Sequence, residues 1–384
     1  MKIGINASFL RKPGTGIGQV TLSFLKELAQ SESGRKHTFV LYLEEDADIS
    51  FLPGNFQKRV FLPLWKRDDV PRRWLWEGFS LPRQIASDRC DAFLSLYQSA
   101  TVLKHIRHTM VVHDIIPWLF PEYLQTLSRT IYAASVKSGI CRADRIIAVS
   151  QSTKSDLIRH FGIAEDKVVV ALPDTGAHFR TVPSPEAVTN VLKKYDLAPG
   201  YIYHGGGLEV RKNAETLLRA YALLIEKEKS GTLQAAVPPL VISGKIFPHT
   251  NRLATDVHGL IEKLHLEEKV KLLGFVPDAD LPALYRGALF FAYPSLYEGF
   301  GLPVLEALRM SVPVLTSGTS SLPEVGGDAV LYADPSDTKA LSSQMERLLS
   351  DASLRTTLIS KGARHALQFS WEHFTGKVLE ALAR

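Results

Sequence analysis

Apolar and polar positions alternate along this chain in a repeating order. Short runs of β-branched, aromatic and aliphatic residues are followed by longer amphipathic stretches. In the first half the pattern predicts strands at residues 2–6, 38–42, 92–95, 109–112, 145–149 and 168–171, with helices that include 18–30, 124–143 and 151–161. In the second half a strand at 201–204 precedes a helix at 213–228. Further strands at 240–243, 270–273, 289–292 and 314–316 alternate with helices at 251–264, 280–287 and 303–309. Strands alternating with helices argue for parallel α/β sheets. Both halves repeat strand, glycine turn, helix. The expected architecture is therefore α/β, two Rossmann-like doubly wound parallel-sheet domains facing a cleft, with ligands at the carboxyl ends of the strands.

A length of 384 residues suits two domains better than one core. The boundary is expected within residues 173–199, where Pro183 and Pro185 lie in a polar stretch. This gives domains at 1–180 and 181–368, followed by a terminal segment, 369–384, whose helix starts at Trp371 with Ser370 as its N-cap. At 45% hydrophobic and 22% charged residues the composition is that of a soluble globular protein. No apolar run reaches the ~18 residues a spanning helix needs. The N-terminus reads as a strand rather than a signal peptide, because it lacks an apolar central region. Cys90 and Cys141 have no metal-type spacing, so a disulfide framework is not expected and a reducing cytoplasm is the simplest setting. The net charge of +5 fits an anionic small substrate or an anionic membrane surface. It also fits nucleic acid, but no nucleic-acid-binding motif accompanies it.

The most informative segment is Tyr293-Pro-Ser-Leu-Tyr-Glu298-Gly-Phe300-Gly301-Leu302-Pro303-Val-Leu-Glu306, with two glutamates eight positions apart. A β-prone run precedes it, and Pro303 suits the first turn of a helix. Glu298 should then lie in a strand-to-helix loop and Glu306 about one turn into the helix. The glycines let backbone approach a ligand, and the N–H groups at the helix start favour negative charge. Amides for an anion beside carboxylates for hydroxyls suit a phosphorylated sugar.

A second glycine turn, His204-Gly-Gly-Gly207-Leu-Glu-Val-Arg211-Lys212-Asn213, places two cations where they can neutralise a diphosphate. Arg offers a planar fork and Lys a point charge. Gly14-Thr15-Gly16-Ile17-Gly18 follows the first strand and opens a helix. A dinucleotide fingerprint would need different glycine spacing and an acidic residue ~20 positions on, whereas Glu44 and Glu45 are nearer thirty. His113-Asp114 ends an apolar strand, a position suited to polar contact with a sugar or to proton transfer. Ser243-Gly244-Lys245 and Gly274-Phe275-Val276-Pro277 also follow strands. Asp46-Ala-Asp48 and Asp278-Ala-Asp280 read as a charged loop and a helix N-cap, not as metal sites. Glu298 and Glu306 could be imagined as a glycosidase pair. The cationic turn argues against that, since a neutral glycoside needs no phosphate cradle.

Together these segments resemble the retaining family 4 glycosyltransferases, which have the GT-B fold. The resemblance covers most of the chain and is strongest from Gly205 to Asp328. It rests on Glu298-x7-Glu306, on the Gly-x4-Arg211-Lys212-Asn213 turn, and on Ser320-Ser-Leu-Pro-Glu-Val-Gly-Gly-Asp328. The His113-Asp114 run through Pro121-Glu122-Tyr123 is similar to bacterial mannosyltransferases of polysaccharide or O-antigen assembly. The resemblance implies a nucleotide-sugar donor, with GDP-mannose foremost and a UDP-sugar next, a glycan or lipid-linked glycan acceptor, and no metal or other cofactor.

It further implies roles for particular residues. Glu298, with the Phe300, Gly301 and Leu302 backbone, would hold the donor sugar, and Glu306 the ribose. Arg211 and Lys212 would stabilise the leaving phosphates, and His113 would line the reacting carbon. Gly14 and Gly16 would touch the diphosphate and the acceptor, while Gly244 and Val276 would meet the base. The terminal helix would cross back onto the first domain. Asp174 stands where many members carry asparagine in an Asn-Gly-(Val/Ile)-Asp turn. The fold also serves phosphorylases and sugar-nucleotide epimerases, but no convincing pyridoxal-phosphate lysine is seen. Finally, Trp65 to Trp76 combines three tryptophans with Lys66, Arg67, Arg72 and Arg73. That mixture suits peripheral contact with the inner face of a membrane.

Overall fold

The computed structural model describes residues 1–61, 69–247 and 252–383. The chain divides into two compact units, one formed by Met1–Gly176 with Phe369–Arg384 and the other by Ala177–Gln368.

The first unit holds β1 (Lys2–Asn6), β2 (Thr38–Leu43), β3 (Phe56–Val60), β4 (Ala92–Ser95), β5 (Arg107–Val112), β6 (Arg145–Ala148) and β7 (Val168–Val170). Every pair is parallel, in the order β3-β2-β1-β4-β5-β6-β7. The order reverses between β1 and β4, where Asn6 lies opposite Ser95. Helices pack on the sheet, so its inner strands are apolar along nearly their whole length. β3 was not legible in the sequence. Only Phe56 of its five residues is buried, and Gln57, Lys58 and Arg59 are exposed along a blunted edge.

The second unit contains β8 (Tyr201–His204), β9 (Leu240–Ser243), β10 (Val270–Gly274), β11 (Ala288–Tyr293), β12 (Val314–Ser317) and β13 (Leu331–Ala333). These too are all parallel, in the order β10-β9-β8-β11-β12-β13. Here the reversal falls between β8 and β11. The core of this unit gathers Ile202, Leu217, Tyr221, Leu240, Phe290 and Leu315.

Caps decide where the helices start. Thr15 Oγ1 accepts from Gly18 N at 3.1 Å, so the first long helix is Gly16–Gln30, two residues longer than the pattern suggests. Thr126 accepts from Arg129 N and delays the next long helix to Leu127–Arg142. Asp256 caps Val257–Lys263 through Gly259 N, well after residue 251, which lies outside the described residues. Asp280 makes no capping bond. Its carboxylate instead takes Lys194 Nζ at 2.6 Å and the Tyr195 hydroxyl at 2.7 Å, because two donors brought in from the C-terminal end of the helix Pro185–Lys194 outcompete the local amides.

The last helix, Trp371–Ala383, belongs to the first unit. Trp371 Nε1 donates to Thr175 O at 2.9 Å, and Phe374 meets Phe24 edge-on at 6.1 Å. Ser370 Oγ accepts from His373 N at 3.1 Å and caps it.

The tryptophan-rich stretch departs from its sequence reading. Trp65 to Asp68 lie outside the described residues. Trp76 is fully buried among Val40, Tyr42, Leu81 and Phe93, with Nε1 donating to Ser8 Oγ at 3.2 Å. Arg72 is buried as well, held by Glu44 at 3.0 Å and Glu45 at 2.7 Å. Both are structural, since a buried indole and a paired guanidinium have no surface to offer. Trp74 remains exposed. Among the described residues no helix is long and apolar enough to cross a membrane.

Candidate functional site

In a doubly wound sheet the two loops leaving a switch point diverge and open a crevice between them. In the second unit those loops follow β8 (residues 205–213) and β11 (residues 294–301). Asn213 joins them. In the left-handed conformation, with φ 62°, it donates through Nδ2 to Pro294 O at 3.0 Å and to Pro335 O at 2.7 Å. Leu296 N adds a bond to Arg211 O at 2.8 Å. The two conspicuous motifs, more than eighty positions apart, thus form one structure.

Glu298 sits at its centre, buried. Its Oε1 accepts from Lys212 Nζ at 2.7 Å, from the Tyr293 hydroxyl at 2.8 Å and from Ser295 Oγ at 2.8 Å. Its Oε2 accepts from Arg211 Nη1 at 2.8 Å. Lys212 Nζ also bonds the Tyr293 hydroxyl, and Arg211 Nε pairs with Glu209 at 2.7 Å. Burial by itself would raise the Glu298 pKa. The Lys212 and Arg211 cations and the hydroxyl donors outweigh it and hold the carboxyl at about 2. Burial pushes Lys212 down, with Glu298 opposing the change. The result is a fixed carboxylate with two cations beside it.

Glu306 lies in the helix Leu302–Arg309 and behaves in the opposite way. It is buried, with the Tyr285 hydroxyl donating to Oε2 at 3.0 Å. Burial raises its pKa to about 7, with Asp278 adding to the rise while Tyr285 and Lys212 oppose it. Two carboxylates eight residues apart thus differ by their surroundings alone. Gly301, the N-cap between them, has φ 110°, and a Cβ there would stand 2.8 Å from Leu322 Cδ2. Phe300 is buried and Leu302 half-buried.

The remaining loop residues of this unit lie at the ends of β9 and β10. A Cβ on Gly244 would reach 2.9 Å from Gly207 Cα, and Gly244 N donates to Gly274 O at 2.8 Å. The β8, β9 and β10 loops therefore touch through backbone, and Val276 is buried beside them in sequence.

His113, Gly14 and Gly16 belong to the first unit. His113 follows β5. Its Nε2 lies 2.9 Å from Leu96 O and must donate, so Nδ1 carries the lone pair. Burial lowers its pKa to about 4, against the Leu96 carbonyl, and the ring is neutral. A neutral imidazole accepting at Nδ1 suits contact with a hydroxyl better than proton shuttling. Gly14 and Gly16 are exposed, at the turn and the first position of their helix. Asp174 Oδ1 accepts from Thr175 N at 2.7 Å.

Sequence reasoning missed Tyr293 and Ser295, which fix Glu298, although both stand inside the conspicuous motif as hydroxyls next to a strand end. Tyr285 gave no local signal. Among the described residues no three His, Cys, Asp or Glu side chains converge as a metal site would require. Asp46 instead pairs with Lys58 at 2.6 Å.

Comparison with known proteins supplies the family. The model described as "Glycosyltransferase Family 4" matches residues 14–172, and "Glycosyl transferases group 1" matches residues 194–365. The chain is 38% identical to O-antigen chain mannosyltransferase B of Escherichia coli, over 99% of each protein. It is 33% identical to the serotype-specific mannosyltransferase WbdA of Escherichia coli over 71% of this chain and 33% of that protein. Among solved structures, WaaG, a glycosyltransferase involved in lipopolysaccharide biosynthesis, superposes with a TM-score of 0.76 at 15% identity, covering 100% of this chain and 99% of that one. HepE of Anabaena, in complex with UDP and glucose, gives 0.72 at 19% identity with the same coverage. By its full-length relative, its two matched models and its pair of doubly wound units, the chain belongs to the family 4 glycosyltransferases and has their GT-B fold.

Proposed function

We propose that the protein moves mannose from GDP-mannose onto a glycan or lipid-linked glycan during O-antigen assembly, with retention of anomeric configuration and without a metal. The observation that carries this reading is the Arg211–Lys212–Glu298 cluster at the β8/β11 switch point. The full-length similarity to a mannosyltransferase supports the choice of sugar.

Arg211 and Lys212 stabilise the charge that develops on the leaving diphosphate, in place of a divalent ion. Glu298 and the backbone around Gly301 hold the sugar. Glu306 accepts from the ribose hydroxyls. His113 offers Nδ1 to a sugar hydroxyl, and the Gly14–Gly16 turn touches the diphosphate. The acceptor hydroxyl attacks on the face the diphosphate leaves, so no covalent enzyme intermediate forms. The protein works in the cytoplasm, peripheral to the membrane that carries its acceptor.

Calorimetry with GDP, UDP, ADP and their sugar conjugates, in chelator, tests this. Tight binding of GDP and GDP-mannose is expected. A preference for UDP discards mannose, and a requirement for a divalent ion discards the metal-free mechanism. Sugar release as a 2-epimer without acceptor turns the reading into an epimerase.

A further inference from the structure

The first unit carries a two-part surface to which the proposed reaction assigns no residue. An apolar groove of about 500 Å³ is lined by Trp74, Phe79, Ile131 and Val102, among others. Trp74 and Phe79 are 40% and 41% exposed and meet edge-on at 5.3 Å. Ile131 is 51% exposed, and Leu127, one helical turn before it on Leu127–Arg142, is 77% exposed. Large apolar side chains in water are ordinary one at a time, but four gathered on one face mark a contact surface.

The second part adjoins the first. Val102 also lines a groove of about 840 Å³ whose walls carry Lys104, Arg142, Arg145 and Lys167 against Asp144 and Asp166. The helix Leu127–Arg142 joins the two parts, with Leu127 and Ile131 on its first turns and Arg142 at its end. At 1.5 Å per residue this spreads apolar anchors and cations over about 22 Å. Trp74 is pinned in place, with Nε1 donating to Ser135 Oγ of that helix at 3.2 Å.

We propose that this face docks the protein on an anionic lipid bilayer, with Trp74, Phe79, Leu127 and Ile131 entering the interface and Lys104, Arg142, Arg145 and Lys167 meeting lipid phosphates. The choice of occupant follows from charge and composition together. An indole and aliphatic side chains beside an excess of cations match the layering of an apolar interior under an anionic headgroup plane. The proposal deepens the reading of a lipid-linked acceptor, and it rests on that reading only for its biological purpose.

The test is sedimentation of the full chain with vesicles of phosphatidylglycerol and phosphatidylethanolamine, compared with vesicles of phosphatidylcholine. Binding to the anionic vesicles that falls with added salt is expected. Lys104→Gln with Arg142→Gln should lower partitioning more than tenfold, since each cation near such a surface contributes about fivefold. Leu127→Ser with Ile131→Ser should lower it comparably while leaving circular dichroism and calorimetric GDP binding unchanged. All these positions are exposed, so the variants should fold. Equal partitioning of wild type and both variants overturns the proposal. Absence of wild-type binding to anionic vesicles also overturns it, and leaves the face to an acidic protein. Nucleotide binding is read separately, so a failure of docking is distinguishable from a failure of the donor reading.

Discussion

Replacing Glu298 by Gln removes a charge while nearly keeping the shape of the side chain. The carboxyl sits at about 2 in the fold against an ordinary 4.5. At about 1.4 kcal/mol per pKa unit, that difference stabilises the folded state by about 3 kcal/mol at neutral pH. Part of the gain offsets the burial of Lys212, but removing the carboxylate leaves both cations without it, which costs a similar amount. For a unit the size of Ala177–Gln368, about 3 kcal/mol corresponds to a fall in Tm of about 6–12 °C. The sign with pH is fixed by the depressed value. The contribution is complete well above the unfolded value of 4.5 and fades as the pH falls toward 2, with less than half of it left at pH 3.

The chain supplies its own control for this measurement. All five tryptophans, Trp65, Trp74, Trp76, Trp118 and Trp371, fall in the first unit. Urea unfolding followed by tryptophan fluorescence therefore reports that unit, while far-UV circular dichroism reports both. Glu298→Gln should shift the second-unit transition and leave the fluorescence transition in place. A variant as stable as wild type at pH 7, or one whose deficit is the same at pH 3 as at pH 7, would refute the account of Glu298 as a buried counter-ion.

Two further substitutions probe the same loop. Glu306 has a raised value of about 7, so its burial lowers stability progressively as the pH rises from 4.5 and most fully above 7. Glu306→Gln should therefore stabilise the second unit by up to about 3 kcal/mol at pH 8 and change little at pH 4, while weakening nucleotide binding; a loss of stability at pH 8 in urea unfolding contradicts this. Gly301→Ala must adopt φ 110° and push Leu322 aside, which costs about 1–3 kcal/mol. Its donor Kd should rise with it, and calorimetry showing wild-type affinity and stability together would exclude the strain.

Much of the architecture was legible because it depends on local patterns. Apolar runs alternating with amphipathic stretches specify parallel α/β units, and glycine turns after strands put Arg211, Lys212 and Glu298 at carboxyl ends before any contact is known. The elements that escaped have weak local signals. β3 carries charge along an edge, and β13 is three residues long. Trp76 and Arg72 read as surface groups because a basic aromatic stretch has the same composition whether it faces water or the core.

By itself, the sequence determined most of the strands, which loops carry charge and glycine, and that the Glu298 and Glu306 motif opens a helix. Only the tertiary structure decided the strand order that makes the β8 and β11 loops neighbours. It brought Arg211 and Lys212 onto Glu298, and gave Tyr285 to Glu306. It also set the two carboxyls at opposite ends of the titration range, one near 2 and the other near 7. The physical reason is that a carboxyl's charge state depends on the balance between burial and the donors within about 3 Å. Three of those donors, Tyr285, Arg211 and Lys212, come from residues that sequence spacing cannot place beside their carboxylates.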